Sequence, residues 1–282
     1  SALRTSGDGG GVIVGSAAAV TSITIGGLID TTDGNALTAP ATAGPVTLNG
    51  GSIVLAASTT LDTDDDDAGD GAITVGTAGG ALDAATAGVQ GLSIRSGGGA
   101  LTVNADVGTT NPVGAVLVES SGGVVAWNGD VQTRNGGVDF AGAATIDLTG
   151  NDGADFVVDT DDVEDAGAAG AIDFGGVTVD ASGIDVTLDA SGEGADADGD
   201  VDVPVGMTAG SPAASLTVSG RQIRVPGVVT DGAGGISITA DAGDDDPDTP
   251  TAVDIELSGS LVSETGGDGP AGPIEVASGG GD

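Results

Sequence analysis

Cysteine, histidine, tyrosine and lysine are absent from this chain of 282 residues, and each absence excludes a kind of chemistry. Without cysteine or histidine there can be no disulfide, no Cys/His zinc site, no haem site and no Ser-His-Asp triad. Without lysine there is no Schiff-base nucleophile and no phosphate-binding lysine. Aromatic residues are scarce as well, and the whole set is Trp127, Phe140, Phe156 and Phe174.

Positive charge is nearly missing too, because five arginines stand against 43 acidic residues and give a net charge of -38. Such a chain repels nucleic acid, so a nucleic-acid partner is excluded. The sequence also lacks an apolar run of 18 residues, and we expect no transmembrane helix. Its hydrophobic content is nevertheless 39%, which is more than acidic disordered segments carry, so we expect the chain to fold.

What is present is a short alternation of apolar and small or polar residues that recurs along the whole chain. The runs are mostly three to five residues long, as at residues 116–118 and 124–127, and alternation with a period of two predicts β-strands. Between them lie glycine-rich steps such as Gly122-Gly123 and Gly136-Gly137, which we interpret as turns where glycine supplies a positive φ. Glycine and β-branched residues are poor helix formers, so the sequence predicts an all-β fold.

Two all-β architectures fit this pattern. A parallel β-solenoid stacks short strands from successive coils and fills a thin core with small aliphatic side chains, which suits this composition. Tandem immunoglobulin-like β-sandwiches also fit the length, but their cores depend on large residues, and here one Trp and no Tyr serve the whole chain. We therefore predict a right-handed parallel β-helix, with residues 1–282 as a single solenoid segment that can belong to a longer chain, and keep tandem sandwiches as the alternative.

An internal repeat supports the solenoid. Residues 61–75 and 158–174 share one order of features: a strand that ends in Asp-Thr-Asp, an acidic loop, and a Gly-Ala-Ile step that restarts a strand. The restarting residues Ile73 and Ile172 are 99 positions apart. That distance would equal about four coils of roughly 20 to 30 residues each.

These strand restarts and Asp-Thr-Asp loops resemble the repetitive passenger regions of large bacterial exoproteins, the filamentous-haemagglutinin-like and autotransporter-type adhesins. The resemblance covers nearly the whole chain and includes its Cys-free, Ala/Gly/Thr/Val-rich composition. It implies a right-handed parallel β-helix exported to the cell surface, where such proteins serve as adhesive stalks or fibres. The secretion domain and the translocator barrel of that family have no counterpart in this sequence.

Aspartate-rich loops are the only concentrated chemical feature. Aspartate's short side chain can present oxygens at alternate positions of a tight loop, which is how calcium collects six to eight oxygen ligands. We therefore predict calcium as the cofactor, and the candidate ligands are Asp62, Asp64, Asp66 and Asp70; Asp159, Asp161 and Asp165; Asp196, Asp198 and Asp200; and Asp244, Asp246 and Asp248. The third group begins like an EF-hand loop, but Met207 stands where such a loop needs Glu. The alternative is that the loops only solvate the protein.

Catalysis is the weakest of the functions that the sequence allows. Some parallel β-helices are polysaccharide lyases or hydrolases that use aspartates and a basic residue, and only Arg95, Arg134, Arg221 and Arg224 could supply that base within the strand pattern. Arginines in so acidic a chain are expected to be surface charge partners, and we predict no enzyme. Trp127 could be an adhesive contact, but its alternation with Val125 predicts a packed core residue instead.

The sequence as a whole predicts a secreted or cell-surface structural or adhesive protein. Two alternatives remain: a calcium-dependent self-assembling filament or surface-layer unit, and a polysaccharide-acting enzyme. The expected partners are calcium ions, further copies of the chain stacked end to end, and a host-surface or glycan receptor.

Overall fold

The computed structural model describes residues 2–4, 10–15, 20–32, 42–64, 69–150, 155–161, 167–192, 198–204, 207, 213–241, 255–264 and 271–279. These residues form strands, bridges, turns and bends but no helix, so the described chain is all-β, as predicted. No membrane-spanning helix occurs among them.

The strands follow the short apolar runs of the sequence, although several are longer than predicted. They are β1 (Ala2–Arg4), β2 (Val12–Val14), β3 (Ile23–Asp30), β4 (Val46–Leu48), β5 (Ser52–Asp62), β6 (Ile73–Ala84), β7 (Leu92–Arg95), β8 (Leu101–Val107), β9 (Val116–Trp127), β10 (Val131–Gln132), β11 (Val138–Asp147), β12 (Asp155–Asp159), β13 (Ile172–Asp173), β14 (Thr178–Asp180), β15 (Asp185–Asp189), β16 (Val201–Asp202), β17 (Ala213–Gly220), β18 (Ile223–Val225), β19 (Val228–Asp241), β20 (Ile255–Leu257), β21 (Leu261–Glu264) and β22 (Ile274–Gly279).

Three ladders of paired residues, all apolar except Thr59, organise these strands, and in each ladder every member is the register partner of the next. Ladder A is Val12, Val46, Ile73, Leu101, Val125, Ile146 and Val179. Ladder B is Ile23, Ile53, Leu82, Val107, Val131, Val158, Leu188, Val218, Ile238 and Val276. Ladder C is Thr59, Leu92, Val116, Val138, Ile172, Val201, Ile223 and Ile255.

The chain visits the ladders in the order A, B, C as far as Val201, and after it the described residues continue only ladders B and C. Ile73 of ladder A is followed by Leu82 of ladder B and Leu92 of ladder C, and Leu101 then returns to ladder A. We call one such passage a circuit. Every pairing between described strands is parallel. Tandem sandwiches require antiparallel pairs, and the described strands contain none.

The core is made of the ladder residues and their inward-facing neighbours, which form one buried apolar cluster between Ile23 and Ala240. Most members are Val, Ile, Leu or Ala, as the composition predicts. The largest side chains stack in the middle of the chain: Trp127 meets the Phe140 ring edge to face at a centroid distance of 5.0 Å, and Phe140 stacks on Phe174 at 5.0 Å. Trp127 is fully buried, which confirms its prediction as a core residue.

The glycine-rich steps are a correction to the sequence interpretation. Gly122 and Gly123 do not interrupt β9; the strand runs through them, and its two halves pair with different strands, β7 before the glycines and β8 after them. None of the glycines in the two quoted steps, Gly122-Gly123 and Gly136-Gly137, has a positive φ. These glycines are therefore needed for a reason other than a left-handed backbone.

That reason is close approach between neighbouring circuits. A Cβ atom added at Gly71 would lie closer than 3.0 Å to the carbonyl oxygen of Gly44, and one added at Gly99 would meet Gly71 in the same way. A second column contains Gly136, Gly170 and Gly199, each set against the carbonyl oxygen of a glycine one circuit earlier. Each glycine of the two columns lies two residues before a ladder residue, as Gly71 does before Ile73, which explains the Gly-x-Val/Ile restarts in the sequence.

The two copies of the internal repeat lie at different places in this arrangement. Ile73 belongs to ladder A, whereas Ile172 belongs to ladder C. The 99-residue separation is therefore not a whole number of circuits, contrary to the sequence interpretation. The same order of a strand end, a loop and a new strand therefore occurs at two places in a circuit, once before ladder A and once before ladder C.

Candidate functional site

The predicted calcium loops begin where strands end in aspartate. At the end of β5 the Asp62 carboxylate accepts a hydrogen bond from the Asp64 N–H at 3.2 Å, and at the end of β12 Asp159 accepts one from the Asp161 N–H at 3.0 Å. The same bond to the residue two positions on is made by six more aspartates: Asp30, Asp139, Asp147, Asp173, Asp180 and Asp189. Aspartate suits this turn because its short side chain reaches its own backbone, which glutamate does less well. Sequence reasoning missed this structural role.

In the first two candidate calcium loops, a threonine follows the strand-end aspartate and closes the base of the loop. Thr63 Oγ1 donates to the Gly71 carbonyl at 2.7 Å, while the Gly71 N–H donates to the Thr63 carbonyl at 3.2 Å. Thr160 and Gly170 make the same two bonds at 2.6 and 3.3 Å. We call this pair of bonds the Thr–Gly clasp. Both threonines are fully buried, so each clasp joins the loop to the core.

The clasp also occurs outside the two copies of the internal repeat. Thr31 Oγ1 donates to the Gly44 carbonyl at 2.6 Å, and the Gly44 N–H donates to the Thr31 carbonyl at 3.4 Å. Before the loop that contains Asp196, alanine takes the place of threonine. There only the backbone bond remains, from the Gly199 N–H to the Ala190 carbonyl at 2.7 Å.

In the first loop, two of the predicted ligands converge. Asp64 and Asp70 both lie against Gly97 of the next circuit, because a Cβ added at Gly97 would come closer than 3.0 Å to an oxygen of each carboxylate. Those oxygens are therefore no more than about 6 Å apart. Asp70 also accepts a hydrogen bond from the Gly98 N–H. Asp62 is at the end of β5, and Asp66 lies outside the described residues.

In the second loop, like charges stack. Asp159 is the register partner of Asp189 in the next circuit, and Asp161 follows in the chain with only 7% of its surface exposed. Burial raises the pKa of Asp159 to about 6, and the negative charges of Asp189 and Asp161 act in the same direction. The pKa of Asp62, whose register partner is Asp30, is raised for the same first reason, burial. Asp165 falls outside the described residues.

The third and fourth groups are described only in part. Asp198 is 5% exposed and its Oδ1 accepts a hydrogen bond from the Gly192 N–H at 2.7 Å, whereas Asp200 forms an ion pair with Arg221. Asp196, Asp244, Asp246 and Asp248 belong to the undescribed part of the chain. Among the residues that the structure does describe, no three acidic side chains are grouped so that they could hold a metal ion.

Three of the four arginines named above, Arg95, Arg221 and Arg224, are held by carboxylates, as expected for surface charge partners. Arg95 Nε lies 2.6 Å from Glu119 Oε2. Arg221 forms a forked pair with Asp200, with Nε 3.1 Å from Oδ1 and Nη2 3.2 Å from Oδ2.

Arg224 is part of a feature that sequence reasoning did not find, a groove of about 280 Å³ on the outer side of ladder C. Its lining residues belong to four strands that neighbour each other in ladder C, or lie directly before those strands, and are Ala171, Ile172, Asp173, Asp200, Val201, Asp202, Gln222, Ile223, Arg224 and Glu256. Arg224 Nη1 lies 2.7 Å from Asp202, and Arg224 Nε lies 3.5 Å from Glu256. No sequence signal could have revealed the groove, because its residues come together only through the register of β13, β16, β18 and β20.

Comparisons with protein-family models, with curated proteins and with solved structures found no significant match to this chain. The resemblance to exoprotein passenger regions therefore depends on the residues of the sequence alone.

Proposed function

We propose that the chain is a right-handed parallel β-solenoid that serves as a structural and adhesive element at a cell surface. The observation that carries the proposal is ladder B, in which ten apolar residues from Ile23 to Val276 are paired in parallel, one from each circuit. A chain that returns to the same ladder at every circuit, with parallel pairing only, builds length by repetition. Right-handedness follows from the strong preference of parallel crossover connections for that hand.

The arrangement suits a mechanical role. Strands that neighbour each other in one ladder are about 4.8 Å apart, so the ten members of ladder B would extend over roughly 45 Å. Backbone hydrogen bonds in such a stack run along its long axis, and each circuit adds to the length without a new core design. The strongly negative surface would keep the exposed strand edges soluble. We assign no catalytic step to the protein.

We further propose that the acidic loops bind calcium. Two observations support this: Asp64 and Asp70 converge over Gly97, and the stacked Asp159 and Asp189 repel each other at neutral pH. A divalent cation would bring oxygen ligands together and remove this repulsion. The loops would then be stiffened at their tips by calcium and at their base by the Thr–Gly clasp.

Melting curves test the calcium proposal directly. Calcium is expected to raise the melting temperature relative to chelator at matched ionic strength, and magnesium is expected to do so less, because it dehydrates reluctantly. The double variant Asp64→Asn/Asp70→Asn should lose part of the calcium effect. Asp147→Asn, which changes a strand-end aspartate outside these loops, should keep it. Identical melting curves in calcium and chelator would leave the loops with solvation and turn formation only.

Calcium-dependent self-assembly is a second candidate, favoured by one observation. The strands β20 and β22, which carry the last members of ladders C and B, expose large apolar side chains, with Leu257 47%, Ile274 45% and Val276 45% accessible. Stacking of one copy on another through these strands would cover them. Electron microscopy of the protein with and without calcium tests this candidate, because assembly predicts fibres or sheets that disappear in chelator.

A further inference from the structure

We propose that the groove on the outer side of ladder C binds a neutral oligosaccharide. The inference rests on the proposed adhesive function, because it names the class of ligand that an adhesive surface protein would bind. Two columns of outward-facing residues border the groove. One column is Ala171, Asp200 and Gln222, and the second column is Asp173, Asp202, Arg224 and Glu256. In the second column each residue is the register partner of the next.

Between the columns lies a floor that contains no projecting side chain. The central residues Ile172, Val201 and Ile223 turn their side chains inward and are each only 1% exposed. Their backbone is engaged between strands, for example by the Ile172 N–H, which donates to the Asp200 carbonyl at 2.9 Å. A ligand chain can therefore lie across the strands and contact several circuits at once.

The polar groups of the groove suit hydroxyl groups. Carboxylates accept hydrogen bonds only, the guanidinium of Arg224 donates only, and the amide of Gln222 does both. In the second column, the donor Arg224 stands between the acceptors Asp202 and Glu256. A sugar hydroxyl both donates and accepts, so adjacent hydroxyls of a saccharide can engage neighbouring members of this column.

Charge selects a neutral ligand. Asp173, Asp200, Asp202 and Glu256 outnumber Arg224 among the lining residues, so an acidic polysaccharide would be repelled. A polycation would be attracted to these carboxylates, but it could engage them only by competing with the Arg221–Asp200 and Arg224–Asp202 ion pairs. A neutral polyhydroxylated chain meets no such repulsion and does not need to displace these ion pairs.

The ion pairs hold the groove in a fixed shape. Arg221 holds both oxygens of Asp200, Arg224 holds Asp202, and the Gly175 N–H donates to Asp173 at 2.7 Å. Groups that are already ordered lose less entropy when a ligand binds. No aromatic ring on which a sugar could stack lines the groove, and Phe174, which follows the groove residue Asp173, is buried. We therefore expect the affinity of one site to be weak. An adhesive element can compensate by presenting many copies.

The scarcity of basic residues makes the test simple. The chain has five arginines and no lysine or histidine, so a nitrogen-edited NMR spectrum of the Nε–Hε groups contains at most five signals. We expect maltohexaose or cellohexaose to shift the Arg224 signal in a saturable way and to leave the Arg95 signal unchanged. Hexagalacturonate and a chitosan hexamer serve as the acidic and cationic probes, and neither should shift the Arg224 signal as strongly as the neutral sugars do.

Variants connect the shift to the groove. Gln222→Ala, followed by the Arg224 signal, and Arg224→Ala, followed by the signal of Arg221, which is paired with the groove residue Asp200, should each weaken binding of the neutral probe. The loss in Arg224→Ala should be roughly tenfold, as expected for loss of a charged donor. Arg95→Ala, which breaks the Arg95–Glu119 ion pair elsewhere, should bind normally. If Arg224→Ala lowers the melting temperature, Gln222→Ala decides, because Gln222 is exposed and its truncation leaves the ion pairs intact.

Three results would overturn the proposal: neutral probes that leave the Arg224 signal unmoved, charged probes that shift it as strongly, or groove variants that bind as well as the unaltered chain. All spectra are recorded in chelator on the unassembled protein. A negative result here therefore leaves the structural function and its calcium test standing, and failure of the calcium test leaves the groove proposal standing.

Discussion

The Oγ1 atom of Thr160 donates a hydrogen bond to the carbonyl oxygen of Gly170, 2.6 Å away and ten residues later in the chain. Together with the returning bond from the Gly170 N–H, it ties the two ends of an acidic loop at the surface of the core. Thr63 and Gly71 tie off a loop that is two residues shorter by the same bonds. Loop length can therefore vary without disturbing the ladders on either side.

The clasp should contribute measurably to stability. Thr160→Val and Thr63→Val keep the shape of the buried side chain but remove its hydroxyl, which leaves the glycine carbonyl without that donor. We expect each change to lower the free energy of unfolding by about 1–2 kcal/mol, measured by denaturant titration. Thr74→Val is the control, because Thr74 lies between the buried Ile73 and Val75 on the outward side of β6. Equal effects at Thr74 and Thr160 would show that the clasp adds nothing specific.

The glycine columns give a second stability prediction. Gly71→Ala and Gly170→Ala place a Cβ against a backbone carbonyl that cannot turn away, so neighbouring circuits must separate. Overpacking of this kind costs about 1–3 kcal/mol, and denaturant titration should show a loss of that size.

Gly176→Ala is the matched control for the glycine columns. No atom lies within 4 Å of a Cβ at Gly176, and its φ is not positive. Alanine there should leave stability unchanged or raise it slightly, since it restricts the unfolded chain. A loss at Gly176 comparable to the loss at Gly71 would mean that backbone conformation, and not close approach, explains the glycines.

The all-β class and the core were predictable because they depend on residue type and alternation. Val125 and Trp127, for example, alternate with outward neighbours in β9 and are both buried, as a period of two requires. Hydrophobic burial acts on each side chain separately, so it leaves a local trace in the sequence. The composition likewise predicted a core of small aliphatic residues.

What depends on register was not predictable. Arg224 lies between Asp202 and Glu256, although 22 and 32 positions separate them in the chain. Those separations follow from the lengths of the connections between the strands, which differ from one circuit to the next, so no fixed period marks them. The role of Gly123 was misread for the same reason, since the carbonyl that excludes its Cβ belongs to Gly99 of the preceding circuit.

Trp127 provides an internal probe of the core. As the only tryptophan, fully buried against Phe140, it should emit at short wavelength and resist quenching by acrylamide. Both properties should disappear in one step on denaturation. Emission at the wavelength of free indole in the folded protein would contradict the packing of this part of the core.

The stacked carboxylates predict an unusual pH dependence. The pKa of Asp159 is raised to about 6 in the folded protein, above its ordinary value of 3.8, so between these values the folded chain binds more protons than the unfolded chain. Stability from this group is therefore fully present below about pH 4 and is lost as the pH rises through 6. The slope is opposite to that of an aspartate stabilised by a salt bridge.

A substitution at Asp159 isolates its contribution to the pH dependence of stability. Asp159→Asn keeps an oxygen that accepts the Asp161 N–H but carries no charge beside Asp189. Denaturant titrations at pH 5 and pH 7.5 should show that the variant gains stability at pH 7.5 and loses less between the two values. Asp155→Asn changes an exposed residue on the same strand and should retain the slope of the unaltered chain. If the Asp159→Asn variant lost more stability between pH 5 and pH 7.5 than the unaltered chain, the raised pKa of Asp159 would be contradicted.

Calcium and protons should compete for the second acidic loop. At pH 7.5 Asp159 is ionised beside Asp189 and Asp161, and a bound cation would remove their repulsion, whereas at pH 5 a proton has already done so. The rise in melting temperature on adding calcium should therefore be larger at pH 7.5 than at pH 5, at matched ionic strength. Asp159→Asn should reduce the rise at pH 7.5 and flatten its pH dependence, because it removes both the charge and the competing proton. A calcium effect of equal size at both pH values would place the bound ion away from Asp159, and the first loop, where Asp64 and Asp70 converge, would then be the one to test by substitution.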